Sequence, residues 1–137
     1  MPSTPFRPLD DTIAVAGQIQ PADVAEAAAA GYRLIVNNRP EGEEPGQPTG
    51  TEIAAAAQAA SLAYVAIPVD HSGFGEAQVT AMREALAGAE GPVLAFCRSG
   101  TRSTFLWALA RASEGDAPAE LAEKAADQGY DLRPLFR

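Results

Sequence analysis

Read as apolar and polar positions, the chain alternates short apolar runs with alanine-rich stretches of helical period. Residues 12–18, TIAVAGQ, alternate and break at glycine, which predicts a strand. Pro21 opens an alanine-rich helix, being suited to a first turn, and Gly31 closes it. Residues 33–38, RLIVNN, make a compact β-branched strand. The following RPEGEEPGQPTG crowds glycine, proline and the glutamates Glu41, Glu43 and Glu44 into a surface loop. A second alanine-rich helix spans 51–61, a strand AYVAIPV spans 63–69, and DHSGFGE is a loop. Over 76–89, Val79, Met82, Ala85 and Leu86 keep the three-to-four spacing of a helix face. Residues 93–96 read as a buried strand, 103–111 as a helix, and 116–128 as a last amphipathic helix stopped by Gly129. Phe105 and Trp107, two apart on their helix, face different ways, one to the core and one toward the surface. Strands alternating with helices predict an α/β fold, with a mostly parallel central sheet and helices on both faces.

Composition narrows the setting. A length of 137 residues suits one domain with one ordinary core, and neither an internal repeat nor a second domain is visible, so residues 1–137 read as a single unit. The net charge of -8 argues against nucleic-acid and anionic membrane surfaces, which call for clustered positive charge. One cysteine excludes an internal disulfide, and with one histidine the common Cys/His zinc arrangements cannot be assembled. Neither a metal nor a cofactor is expected, because the dinucleotide fingerprint and the G-x4-G-K-[ST] phosphate loop are absent. The opening MPSTPFRPLDD lacks the apolar segment of a signal peptide and no run approaches membrane-spanning length, so the expected location is cytoplasmic.

The chemistry concentrates in AFCRSGTRS, residues 95–103. Cys97 stands where a strand ends and a helix begins, the place where α/β folds bind ligands. A glycine-containing turn at a helix N-terminus aims several N–H groups into one concavity, and the helix dipole adds positive potential. Such a cradle takes a tetrahedral anion, Arg102 can grip it through a bidentate pair, and the same field favours a cysteine thiolate. A lone cysteine is commonly a small buried hydrophobe. Here Arg98, Ser99, Gly100, Thr101, Arg102 and Ser103 follow it, which is poor core material and good anion-loop material.

CRSGTRS resembles the active-site loop of two groups. Protein-tyrosine and dual-specificity phosphatases carry C-x2-G-x2-R-[ST] between a strand and a helix, whereas rhodanese-type sulfurtransferases carry a shorter loop, often C-R-x-G-x-R. This chain has C-x2-G-x-R-S, one residue short of the phosphatase spacing. Beyond the loop, AVAGQIQPADVAEAAAAGYRLIVNNRPEGEEPGQP and YVAIPVD resemble the bacterial beta-lactamase-hydrolase-like phosphatase domain family, over roughly residues 6–111. The resemblance implies a protein-tyrosine/dual-specificity-phosphatase-like fold. Some members of that family are described as sulfurtransferases, and some are fused to a metallo-beta-lactamase-like domain acting on persulfides. It thus implies a small anionic substrate (thiosulfate, a persulfide or a phosphate ester) and a persulfide-oxidising enzyme of that kind as a partner.

Loop length and scaffold point to different reactions. A six-residue loop has fewer inward N–H groups, better matched to a persulfide sulfur or the end of thiosulfate, and sulfur transfer needs no strong acid. Phosphate-ester hydrolysis needs a general acid, and Asp70, on a loop before the cysteine strand, matches the phosphatase acid by order. The loop geometry ranks a Cys97-dependent sulfurtransferase first, a phosphatase with a phosphocysteine intermediate second, and a non-catalytic anion-binding module third. In either enzyme Cys97 is the nucleophile and Arg102 binds and stabilises the anion. Ser103 donates to the thiolate or caps its helix, and Gly100 supplies a positive φ. Arg98 faces the substrate or adds potential at the rim. Arg39 follows a strand end on the same edge as Cys97, where a surface salt bridge is equally in keeping, and the glutamate cluster reads as a solvated loop or as a repellent of anionic competitors at the site's edge.

Overall fold

The computed structural model describes residues 4–136. Five strands form one sheet: β1 (Arg7–Pro8), β2 (Ile13–Ala16), β3 (Leu34–Asn37), β4 (Ala63–Ala66) and β5 (Val93–Phe96). Their order across the sheet is β1-β2-β5-β3-β4. β2, β5, β3 and β4 run parallel, with Ile13 and Leu34 both opposite Val93, and Leu34 also opposite Ala63. β1, which the apolar pattern does not reveal, adds an antiparallel edge with Arg7 opposite Val15. Two residues, one of them a proline, carry no periodicity, and proline is tolerated at a sheet edge. The five helices are α1 (Pro21–Ala29), α2 (Gly50–Ala59), α3 (Glu76–Gly88), α4 (Thr101–Ser113) and α5 (Pro118–Asp127).

The two-residue period of the strands divides the core into two layers. Ile13, Val15, Val36, Val93 and Ala95 face α3, α4 and α5, meeting Met82, Leu106, Trp107 and Leu121. Ala14, Ala16, Ile35, Leu94 and Phe96 face α1 and α2, meeting Val24, Ala27, Ile53 and Ala57. The expectation of helices on both faces holds. Trp107 is fully buried and Phe105 is half-buried against Phe74, as their spacing requires. Among the described residues, no helix is long and apolar enough to cross a membrane.

The largest departure from the sequence reading lies beside the cysteine. α4 begins at Thr101, two residues before the expected start, and its N-cap is Gly100 with φ 91° and ψ -9°. The left-handed turn that glycine permits lets the helix start inside the loop. Ser103 is therefore a buried residue of the first turn and not the cap.

Candidate active site

β5 lies between β2 and β3, so its C-terminal end opens at the centre of the sheet's edge. Cys97 follows Phe96 there, its N–H donating to the Ala16 carbonyl at 3.3 Å. The residue is buried, only 1% exposed. Gly100 N–H donates to Cys97 Sγ at 3.1 Å, and Arg102 also faces the sulfur. The thiol, an N–H directed at it, a left-handed glycine and an arginine thus fall close together in one short stretch of chain.

Arg102 is not free. Its Nη1 donates to Glu43 Oε2 at 2.8 Å and to the Val69 carbonyl at 2.7 Å, and its Nη2 donates to Glu43 Oε1 at 2.8 Å. Glu43 is shared with Arg39, whose Nε donates to Oε1 at 2.9 Å. The hydrogen bond from Arg102, with support from Arg39, holds the Glu43 carboxyl down at about 2, so it stays ionised over the ordinary pH range. Arg39 itself is buried, also bonding Glu44 and the Gln18 side-chain oxygen. The expectation of a solvated glutamate cluster is corrected on this point. Glu43 and Glu44 bridge arginines, and Glu41 accepts from Gly50 N–H at the start of α2.

Ser103 is also corrected. Its hydroxyl donates to Asn38 Oδ1 at 2.8 Å rather than to the sulfur, and the Asn38 amide in turn donates to the Ile67 carbonyl at 2.9 Å. Asn38, fully buried past β3, thereby braces the first turn of α4 against the segment beyond β4. Of the remaining loop residues, Ser99 and Thr101 are exposed and share a hydroxyl contact of 3.0 Å. The Arg98 side chain is 67% exposed and 3.4 Å from Glu44, which places it at the rim.

Asp70 lines a cavity of about 680 Å³ with His71, Pro40, Glu43, Arg98 and Arg102. Ser72 donates to its Oδ1 from both the backbone (2.9 Å) and the hydroxyl (2.6 Å), and these bonds favour the ionised carboxylate. A slightly larger groove, about 720 Å³, runs between β4 and α3. It is lined mainly by Leu34, Leu62, Val65 and alanines, whereas Arg98 and Arg102 line the smaller cavity.

Three residues with a part in this site escape the sequence reading: Asn38, Glu43 and Tyr130. Asn38 and Glu43 had a local signal, an asparagine after a strand end and an acidic loop facing an arginine loop. Tyr130, whose hydroxyl donates to the Ser99 carbonyl at 3.0 Å, had none, since 31 positions separate the partners.

Comparison with known proteins agrees with this geometry. A beta-lactamase hydrolase-like protein of Agrobacterium fabrum is 38% identical over 125 residues, which is 90% of this chain and 29% of that protein. The chain therefore spans less than a third of the length of the curated relatives it matches. A "putative phosphatase" (nma1982) from Neisseria meningitidis z2491 superposes with a TM-score of 0.82 at 32% identity, covering 93% of this chain and 91% of that one. P. aeruginosa TpbA, solved in complex with pTyr, shares the fold with a TM-score of 0.66 at 19% identity, over 93% of this chain and 75% of its own. Residues 5–114 match the phosphatase-like domain of beta-lactamase hydrolase-like proteins, and the chain belongs to that family.

Proposed function

We propose that the protein is a cysteine-dependent phosphatase acting on small phosphate esters, aryl esters above all. One observation carries the reading: the Arg102 guanidinium already holds two carboxylate oxygens in the planar fork that two phosphoryl oxygens would fill. The phosphatase description of the Neisseria neighbour and the pTyr held by TpbA support it. In this reading the substrate's phosphoryl group displaces Glu43 and lies over the loop N–H groups. The Cys97 thiolate attacks phosphorus, the P–O ester bond breaks, and the leaving oxygen takes a proton from a protonated group or from water. Water then attacks the phosphocysteine, breaking the P–S bond, releasing phosphate and returning the thiolate. Asp70, held ionised by Ser72, is suited to accept the proton of that water. An ionised Asp70 is poorly prepared to protonate an alkoxide, so leaving groups that depart as anions, such as phenolates, fit the site best.

A second reading, sulfur transfer, draws on the Cys-x4-Arg spacing and on that same ionised Asp70. Thiosulfate would pass its outer sulfur to Cys97 and leave as sulfite, and an acceptor thiolate or cyanide would then take the sulfur. A persulfide-oxidising partner belongs with this reading. Parallel assays with an aryl phosphate and with thiosulfate plus cyanide separate the two. Phosphate release that Cys97→Ser abolishes, with no thiocyanate formed, is the expected result. Thiocyanate without phosphate reverses the order, and neither product leaves an anion-binding module.

A further inference from the structure

The loop between Cys97 and Gly100 is held from behind at consecutive peptides. The Arg98 carbonyl accepts from Gln18 N–H at 3.2 Å, and the Ser99 carbonyl accepts from Tyr130 Oη at 3.0 Å. Gly17 permits the first approach, since a side chain there would meet the Arg98 carbonyl oxygen at 3.0 Å. In a planar trans peptide the C=O and the following N–H point in opposite directions. A carbonyl pinned outward therefore turns the next N–H inward, and the N–H that follows Ser99 is that of Gly100, on Cys97 Sγ.

We infer that Tyr130 is a positioning residue for the Cys97 thiolate: by holding the Ser99 carbonyl it keeps the Gly100 N–H on the sulfur. The tyrosine is delivered by a rigid stop. α5 ends in a Schellman motif, with Gly129 at φ 90°, Gly129 N–H bonding the Ala126 carbonyl and Tyr130 N–H bonding the Ala125 carbonyl at 2.9 Å. Its ring packs on the edge of the core, and Leu132, next but one along the chain, is buried. A side-chain carbon at position 100 would press on the Tyr130 hydroxyl, so the two residues are fitted to each other. Burial raises the Tyr130 pKa, which keeps the phenol protonated and a donor through the neutral range. Position 130 lies beyond the matched family region, 5–114.

The inference rests on the reading of Cys97 as a thiolate nucleophile, and alkylation kinetics test both. Among the described residues the charged and titratable groups about the thiol include Arg102 and Tyr130, with Glu43 and Arg39 beyond Arg102, Arg7 beside Tyr130, and Arg98, Asp70, His71, Glu41 and Glu44 at the rim. Cys97 is the sole cysteine, so iodoacetamide reports on it alone. Tyr130→Phe removes one oxygen and leaves the ring packed, and a thermal melt checks that the variant is folded. Over the pH range in which the wild-type rate is still rising with pH, we expect it to react roughly three- to tenfold more slowly than wild type, because a hydrogen bond to a charged sulfur is misaligned. The two rates should converge at high pH, where the thiol is fully ionised in both. A loss equal at every pH, marking altered access, or no difference at all overturns the role of Tyr130 while leaving the nucleophile intact. A wild-type rate at pH 7 no faster than that of a free small-molecule thiol such as N-acetylcysteine overturns the activated nucleophile as well.

Discussion

The rim and the back of the Cys97 loop are held by opposite means. At the rim Arg102 sits in a charge pair with Glu43, whose side chain is 20% exposed. At the back, neutral donors from Gln18 and Tyr130 grip two successive carbonyls, and Gly100 adopts a backbone that few other residues tolerate. A partly solvated ion pair is screened by salt and yields to a competing anion, whereas neutral peptide bonds offer an anion nothing to exchange with. In the proposed reading the yielding face is the one through which a substrate enters, and the fixed face carries the N–H groups that must not move. Magnitudes agree with this division. Solvent-accessible ion pairs contribute about 0–1 kcal/mol to folding, against about 3–5 kcal/mol for a buried Trp such as Trp107 truncated to alanine. The rim pair is thus a matter of site occupancy more than of fold stability.

Substitutions on either face can break or sharpen this contrast. The largest effect is expected at Arg102. Lysine keeps the charge but cannot form the fork, so Arg102→Lys should lower kcat/KM on an aryl phosphate by about a hundredfold. Full activity in that variant would reduce Arg102 to a source of positive potential. Next comes Gly100→Ala, which attacks the back. Alanine at φ 91° and against Tyr130 should cost about 1–3 kcal/mol in a denaturant titration and slow Cys97 alkylation with it. Stability equal to wild type would show that the back is pliable.

The smallest change is expected from Glu43→Gln, which keeps shape and removes the competing charge. KM and the inhibition constant for inorganic phosphate should fall several-fold, with KM changing more than kcat. A rise in KM would mean that Glu43 orients Arg102 for the substrate instead of competing with it. The pair also has a pH signature. The Glu43 carboxyl is lowered in the folded protein from 4.5 to about 2, so its contribution to stability is complete above 4.5 and disappears as pH falls through about 2. The melting temperature of wild type minus that of Glu43→Gln should therefore shrink across that window and be flat above it.

The central elements were legible because each shows its period over four or more residues. LIV and VLAF are buried throughout and appear as unbroken apolar runs, and α3 keeps Val79, Met82 and Leu86 on its inward side. Cys97, Gly100 and Arg102 were legible because strand, turn and helix start are all local signals. The residues tuning them were not. Ser103 looked like a cap because serine favours that position, but the αL turn at Gly100 moves the cap three residues upstream. The Glu43–Arg102 pair was hidden because the partners are 59 positions apart, although Arg39, the other partner of Glu43, is only four residues away. Strand ends were also overrun: residues 67–69 continue the apolar pattern of β4, yet they leave the ladder and bond to Asn37 and Asn38. Periodicity reports burial, and burial outlasts pairing there.

The position of β5 between β2 and β3 also bears on how the chain is made. As it emerges from the ribosome, β2, α1, β3, α2, β4 and α3 are complete before residue 93 appears. Until then β2 and β3 have no strand between them, and each presents an unpaired apolar edge to the other and to neighbouring chains. Closing the sheet requires a late, non-local insertion, the slow kind of step in parallel topologies. The Cys97 loop follows β5 immediately, so the anion cradle assembles at the moment this gap is filled. A nascent chain with an open sheet therefore carries no cradle, and chaperone dependence and acquisition of thiol reactivity become two readouts of one folding event.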